Sequence, residues 1–170
     1  MNLPEKYRVL IITLSDRAFR GEYEDLSGPR IREMAENFFR SLKAGCSIMQ
    51  VLIPDDDKML REAVLNSSDK FDIIFTTGGT GIGPRDITFE TISPLLTKEI
   101  PGVMEYIRVK YGAEKPNALL SRGVAGLIGG TLIYTLPGSV RAVSEYMTEI
   151  IKTLEHTLLM LHGIDTHKKD

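Results

Sequence analysis

Residues 7–14, YRVLIITL, leave almost no polar face. A half-exposed strand alternates apolar and polar residues, so an unbroken aliphatic and β-branched run predicts a strand covered on both sides. That is the pattern of a parallel sheet between two helical layers. The pattern returns in CSIMQVLIP (46–54), FDIIFTT (71–77) and GGTLIYTLPG (129–138), which predict three more strands. The segments between them change period. Ile31, Met34, Ala35, Phe38, Phe39 and Leu42 recur at the spacing of one helix face, with Ser27 expected as N-cap and Pro29 in the first turn. DDDKMLREAVLNSS (55–68) predicts a second helix whose acidic start suits the helix dipole.

ITFETISPLL (87–96) begins a further helix, bent or ended near Pro94, and PGVMEYIRVKYG (101–112) predicts a short one between Pro101 and Gly112. A last helix follows Ser139, with Val143, Tyr146, Met147, Ile150, Ile151, Leu154 and Leu158 on one stripe and Gly163 closing it. Strands alternating with helices define an α/β chain with a mostly parallel sheet. Such sheets bind ligands beyond the carboxyl ends of their strands. Four loops leave those ends here: 15–27, 54–57, 77–88 and 137–139. They carry Ser15, Asp16, Arg17, Asp25, Asp55, Thr77, Arg85, Asp86 and Ser139.

The bulk properties narrow the partners. A chain of 170 residues fits one domain, expected over 1–163, with a disordered tail over 164–170. A formal net charge of −2 provides no general attraction for nucleic acid or an anionic membrane. Cys46 is the single cysteine, so no intrachain disulfide can form. The opening MNLPEKYRVLIITL is too short in apolar residues for a secretory signal, and no window approaches the roughly 20 apolar residues of a spanning helix. The expected location is the cytoplasm. His156, His162 and His167 fall in the last helix and tail, which argues against a histidine metal site.

The chemistry gathers in IIFTTGGTGIGPRDIT, residues 73–88. It is no P-loop, because no lysine follows the glycines. A dinucleotide fingerprint fails too: Pro84 takes the place of its third glycine, and the cluster follows the third strand, not the first. Two readings remain from the residues themselves. One is a tight strand-to-helix turn, with Asp86 as a cap. The other is a backbone nest for a phosphate or polar heterocycle, in which Asp86 holds Mg²⁺ and Arg85 neutralises phosphate oxygens. A carboxylate of the Asp55–Asp57 group could share the metal.

TTGGTGIGPRDITFET resembles the signature of the MogA/MoaB family, the molybdopterin-binding domains of molybdenum cofactor biosynthesis. IITLSDRAFRGEYEDLSGP, VLIPDD, LSRGVAG and LPGSVRAV resemble that family's other segments, in the same order. The resemblance implies a three-layer α/β/α sandwich and a homotrimer. It also implies transfer of AMP from Mg·ATP to molybdopterin, releasing pyrophosphate, with a molybdate-inserting protein downstream. By the same motifs, Asp55 and Asp86 are the expected catalytic and Mg²⁺-binding pair. Ser15, Asp16, Thr77, Gly78, Gly79, Thr80, Gly81, Arg85, Ser121, Pro137, Gly138 and Ser139 are the expected substrate and nucleotide contacts. A paralogue that binds molybdopterin without adenylylating it is the alternative. Phe89 stands where the family usually has proline, a change expected to loosen the helix start.

Overall fold

The computed structural model describes residues 4–164, so the expected disordered tail lies, from residue 165 on, outside the described part. Six strands form one sheet: β1 (Lys6–Leu14), β2 (Gly45–Ile53), β3 (Ile73–Thr77), β4 (Lys98–Glu99), β5 (Ala125–Ile128) and β6 (Thr131–Leu136). Their order is β2-β1-β3-β6-β5-β4. The β1–β2, β1–β3 and β3–β6 pairs are parallel, while β5 runs antiparallel to both β6 and β4. The helices are α1 (Asp16–Phe19), α2 (Ser27–Ser41), α3 (Asp57–Leu65), α4 (Thr88–Ile92), α5 (Pro101–Gly112) and α6 (Val140–Leu161).

The continuous apolar runs do what their pattern demands. Tyr7, Val9 and Ile11 of β1 join Ile73 and Phe75 of β3 and Leu132, Tyr134 and Leu136 of β6 in a core beneath α2, α5 and α6. The intervening Leu10, Ile12, Leu14, Ile74 and Ile133 enter a second core with Leu60 and Val64 of α3 and Ile92 of α4. One period-2 strand therefore feeds two cores, and the sheet becomes the middle of three layers.

Three details differ from the sequence expectation. Residues 125–136 make an antiparallel hairpin around Gly129–Gly130 where one strand over 129–138 was expected. Ser27 does not cap α2: it is the first helical residue, and Asp25 takes the capping role. Gly112 is the last residue of α5, packed against Leu119, and not the residue beyond its end. Pro94, as expected, ends α4 by way of a single tight 3-10 turn over Ser93–Leu95.

Candidate functional site

The carboxyl ends of β1, β2, β3 and β6 open into a cleft of about 670 Å³. Its floor is the glycine loop after β3. Gly78 has φ +103°, and a Cβ there would stand 2.2 Å from the Leu14 carbonyl oxygen, so only glycine lets the loop pass that close to β1. At Gly81 a Cβ would meet Asp86 Oδ2 at 2.6 Å. The space freed by the missing side chain is thus occupied by the protein's own carboxylate. Thr88 Oγ1 donates to the Gly78 carbonyl at 2.8 Å and the Thr88 N–H to the Gly79 carbonyl at 3.0 Å, pinning the loop's first half to α4.

This bracing leaves a run of donors open. Among the described residues, the backbone N–H groups of Gly79, Thr80, Gly81 and Ile82 reach no protein acceptor, and all four residues line the cleft. Thr80 is buried and Gly79 and Gly81 are half-buried, whereas Ile82 is exposed, and buried or half-buried amides without partners are uncommon unless a ligand or water satisfies them. α6 adds to the field: its Ser139 N-cap lines the same cleft, accepting the Ala142 N–H at 3.3 Å, and a helix of 22 residues begins there. The positive end of its dipole therefore meets the cleft.

Two carboxylates stand in the wall. Asp86 does not cap α4; the helix starts from Ile87 with no side-chain cap. Asp86 Oδ2 instead accepts the Gly83 N–H at 2.8 Å, and its own N–H donates to the Gly83 carbonyl at 3.0 Å. Asp55 is tied to Asp16 in both directions: Asp55 Oδ2 accepts the Asp16 N–H and Asp16 Oδ1 accepts the Asp55 N–H, each at 3.0 Å. The remaining oxygen of Asp16 receives Arg85 through Nε at 3.1 Å and Nη2 at 2.5 Å. The Arg85 guanidinium and the Asp55 N–H hold the Asp16 carboxyl below its ordinary range against the opposing effect of desolvation. Loops from β1, β2 and β3 are thereby locked together by Asp16. Asp56, next in the acidic run, caps α3 by accepting the Met59 N–H at 2.8 Å.

The structure gathers most of the sequence-derived candidates. Ser15, Asp55, Gly78, Gly79, Thr80, Gly81, Arg85, Asp86, Ser121, Pro137, Gly138 and Ser139 all line the cleft. Asp16 and Thr77 do not. Thr77 is fully buried and donates to the Pro137 carbonyl at 2.8 Å, joining the glycine loop to the 137–139 loop. Tyr23, Ile82, Asn117 and Leu120 line the cleft without having been foreseen. Tyr23 carried a faint signal, being an aromatic in a loop at a strand end, and its hydroxyl lies 2.7 Å from Ser15 Oγ. Asn117 and Leu120 arrive on the turn at 116–120, far along the chain, with no local mark. Among the described residues, no group of three or more His, Cys, Asp or Glu is placed to hold a metal. The pair Asp55 and Asp86 offers hard oxygen donors, a set that suits Mg²⁺ when phosphates and water complete its shell. Among the described residues, no helix is long and apolar enough to cross a membrane.

A family model described as a probable molybdopterin binding domain matches residues 10–156. The chain belongs to this family. The molybdopterin adenylyltransferase of Pyrococcus furiosus is 39% identical over 159 residues, covering 88% of each chain. The crystal structure of the molybdopterin biosynthesis enzyme MoaB of Thermus thermophilus is 38% identical, with a TM-score of 0.82, over 92% of this chain and 97% of that one. The molybdenum cofactor biosynthesis bifunctional protein of Chlorobaculum tepidum is 33% identical over 159 residues, 92% of this chain. Some relatives are much longer: the chain spans 23% of one, 25% of another and 49% of the bifunctional protein. The three-layer fold follows from these relationships.

Proposed function

We propose that the cleft brings molybdopterin and Mg·ATP together and transfers AMP to the pterin's terminal phosphate. The observation that carries this reading is the run of unpartnered N–H groups at residues 79–82, set between two carboxylates and an arginine. Two polyanions repel each other, so a site for their reaction must first offset that repulsion and align them. The open amides and the α6 N-terminus supply neutral, fixed donors for phosphate oxygens. Arg85, held at the cleft by Asp16, supplies positive charge. Asp55 and Asp86 would hold Mg²⁺, which screens the phosphate charges and makes pyrophosphate a better leaving group.

In the transfer, a phosphate oxygen of molybdopterin attacks the α-phosphorus of ATP. A new P–O bond forms, the bond from the α-phosphorus to the bridging oxygen breaks, and pyrophosphate departs with that oxygen. No side chain forms a covalent bond, so catalysis is alignment and charge stabilisation. The names of the relatives support the reading, since the Pyrococcus furiosus protein is called a molybdopterin adenylyltransferase. The Chlorobaculum tepidum relative is called a bifunctional protein of molybdenum cofactor biosynthesis, which supports a second activity close to this one; we infer that a molybdate-inserting partner receives the product. We infer a homotrimer as the working form, which sedimentation at micromolar concentration would test.

The decisive experiment supplies Mg·ATP and molybdopterin to the wild type, Asp55→Ala and Asp86→Asn, and follows adenylyl-molybdopterin and pyrophosphate. Asparagine keeps an acceptor for the Gly83 N–H while removing the charge. Turnover should fall on the order of 100-fold or more in each variant. Wild-type turnover in Asp86→Asn would sink the proposal. Molybdopterin binding without product by the wild type would leave a binding-only paralogue.

A further inference from the structure

Arg122 follows Ser121 on the approach to β5, does not line the cleft, and has no part in the chemistry above. Its contacts are nonetheless concentrated on the glycine loop. Its N–H donates to the Thr80 carbonyl at 2.8 Å, Nε to the Gly81 carbonyl at 2.8 Å, and Nη2 to the Asp86 carbonyl at 3.3 Å. One residue therefore holds carbonyls on both sides of the Gly83–Asp86 turn. The guanidinium is itself fixed twice. Glu90 of α4 accepts from Nη1 and, at 3.2 Å, from Nη2, and the Phe89 ring lies 5.3 Å below the guanidinium carbon. Arg122 lines an adjoining hollow with Ile82, Gly83, Pro84, Asp86, Ile87 and Glu90; this hollow shares Ile82 and Asp86 with the cleft, which Arg122 itself does not line.

We propose that Arg122 is a positioning residue that sets the turn carrying Asp86, and that Phe89 and Glu90 hold it in the geometry to do so. The planar fork is what makes this work: three of its bonds diverge to two carbonyls and a carboxylate, a pattern a lysine ammonium on a flexible stem does not reproduce. Phe89 gains a role by the same geometry. Its ring offers the guanidinium an aromatic face. The carbonyls of Thr80, Gly81 and Asp86 are held by Arg122, while the N–H groups of residues 79–82 in the same loop have no internal partner.

The first test does not depend on the proposed reaction. Amide hydrogen exchange is measured in the wild type, Arg122→Ala and Arg122→Lys. Gly83, whose N–H is held by Asp86, and Asp86, whose N–H is held by Gly83, should exchange roughly ten- to a hundredfold faster in both variants. Thr88 and the β3 amides should keep their wild-type protection. Equal acceleration everywhere would mean a merely structural role, and unchanged Gly83 and Asp86 exchange would mean no clamp; either overturns the proposal. Full restoration by lysine would also overturn it, since charge without the fork would then suffice. Phe89→Leu, which keeps an apolar side chain and loses the aromatic face, should accelerate the same two amides about two- to fivefold.

The second test rests on the adenylyltransferase reading. In Arg122→Lys the turnover number should fall about tenfold with the KM for ATP changed less than threefold, because an aligned carboxylate matters most in the transition state. A rise in KM at unchanged turnover number would overturn the positioning role. If the wild type forms no product, that reading fails while the exchange pattern still decides the clamp.

Discussion

Gly78 shows how a single residue can govern the cleft. Its positive φ and the 2.2 Å approach of a hypothetical Cβ to the Leu14 carbonyl leave no room for alanine without moving β1 or the loop. Gly78→Ala should cost at least about 2 kcal/mol, lowering Tm by roughly 4–8 °C. Gly102→Ala, inside α5 with nothing within 4 Å of the new Cβ, should raise stability by up to about 1 kcal/mol. Thermal melts of the two variants check both signs. Asp16 gives a pH prediction. Its folded-state carboxyl titrates below the ordinary value of 3.8, chiefly because Arg85 is bonded to it. A lowered folded value means that the latch contributes fully above the unfolded value and is lost as pH falls through the folded one. The Asp16–Arg85 contact should therefore persist at neutral pH and open only in acid below 3.8. An NMR titration should show the Asp16 midpoint rising toward its ordinary value in Arg85→Ala; an unmoved midpoint would refute the pairing. The family resemblance implied Asp16 as a ligand contact, and a carboxylate at a strand end can serve as contact or as latch. Only the position of Arg85, 69 residues away, turns it toward the latch.

Among the elements, α2 depends on one carboxylate more than any period in its sequence suggests. Asp25 Oδ1 accepts the Ser27 N–H at 3.0 Å, the Ser27 hydroxyl at 2.9 Å and the Gly28 N–H at 3.1 Å, while Oδ2 accepts Thr13 Oγ1 at 2.7 Å. Asp25→Ala would leave two amides of the first turn and a buried threonine hydroxyl without this partner. The expected loss is about 2–3 kcal/mol, read from urea unfolding, with Asp25→Asn losing less than half of that. Ser27 looked like the cap because serine before Gly-Pro is a common opening. The carboxylate two residues earlier wins because it reaches several donors at once and β1 supplies another. The hairpin around Gly129–Gly130 was hidden for a related reason. Only its second strand was expected from the sequence: β5 is four residues long, and the glycine pair that makes the turn stands at the start of the strand expected over 129–138.

At the level of the molecule, the sheet's two faces are sealed by separate cores, so a change on one face should be felt globally yet leave the other face's packing alone. Phe75 stacks on Tyr134, ring centroids 5.7 Å apart, at the centre of the larger core. Phe75→Ala should cost about 3–5 kcal/mol, and Phe75→Leu much less. Calorimetry on both variants tests this; a loss below about 1 kcal/mol for the alanine variant would show that the core relaxes around the cavity. The cleft sits where the parallel strands β1, β3 and β6 all end, so loosening that centre should also weaken ligand binding.

What the sequence determined by itself was everything carried by local period and local chemistry. Unbroken apolar runs required strands buried on both faces, helix-period stripes required the layers that bury them, and the ordered motifs of the glycine loop, Asp55, Asp86 and the Ser139 loop marked the cleft. What the tertiary structure decided was pairing across long separations. Asp16 meets Asp55 and Arg85, Arg122 reaches the loop at 80–86, Asn117 and Leu120 arrive beside Ser139, and the space at Gly81 is filled by Asp86. The reason is physical: a side chain's own neighbours set whether it is buried. Which donor meets which acceptor is set by how the strands are ordered in the sheet, and no short stretch of sequence contains that order.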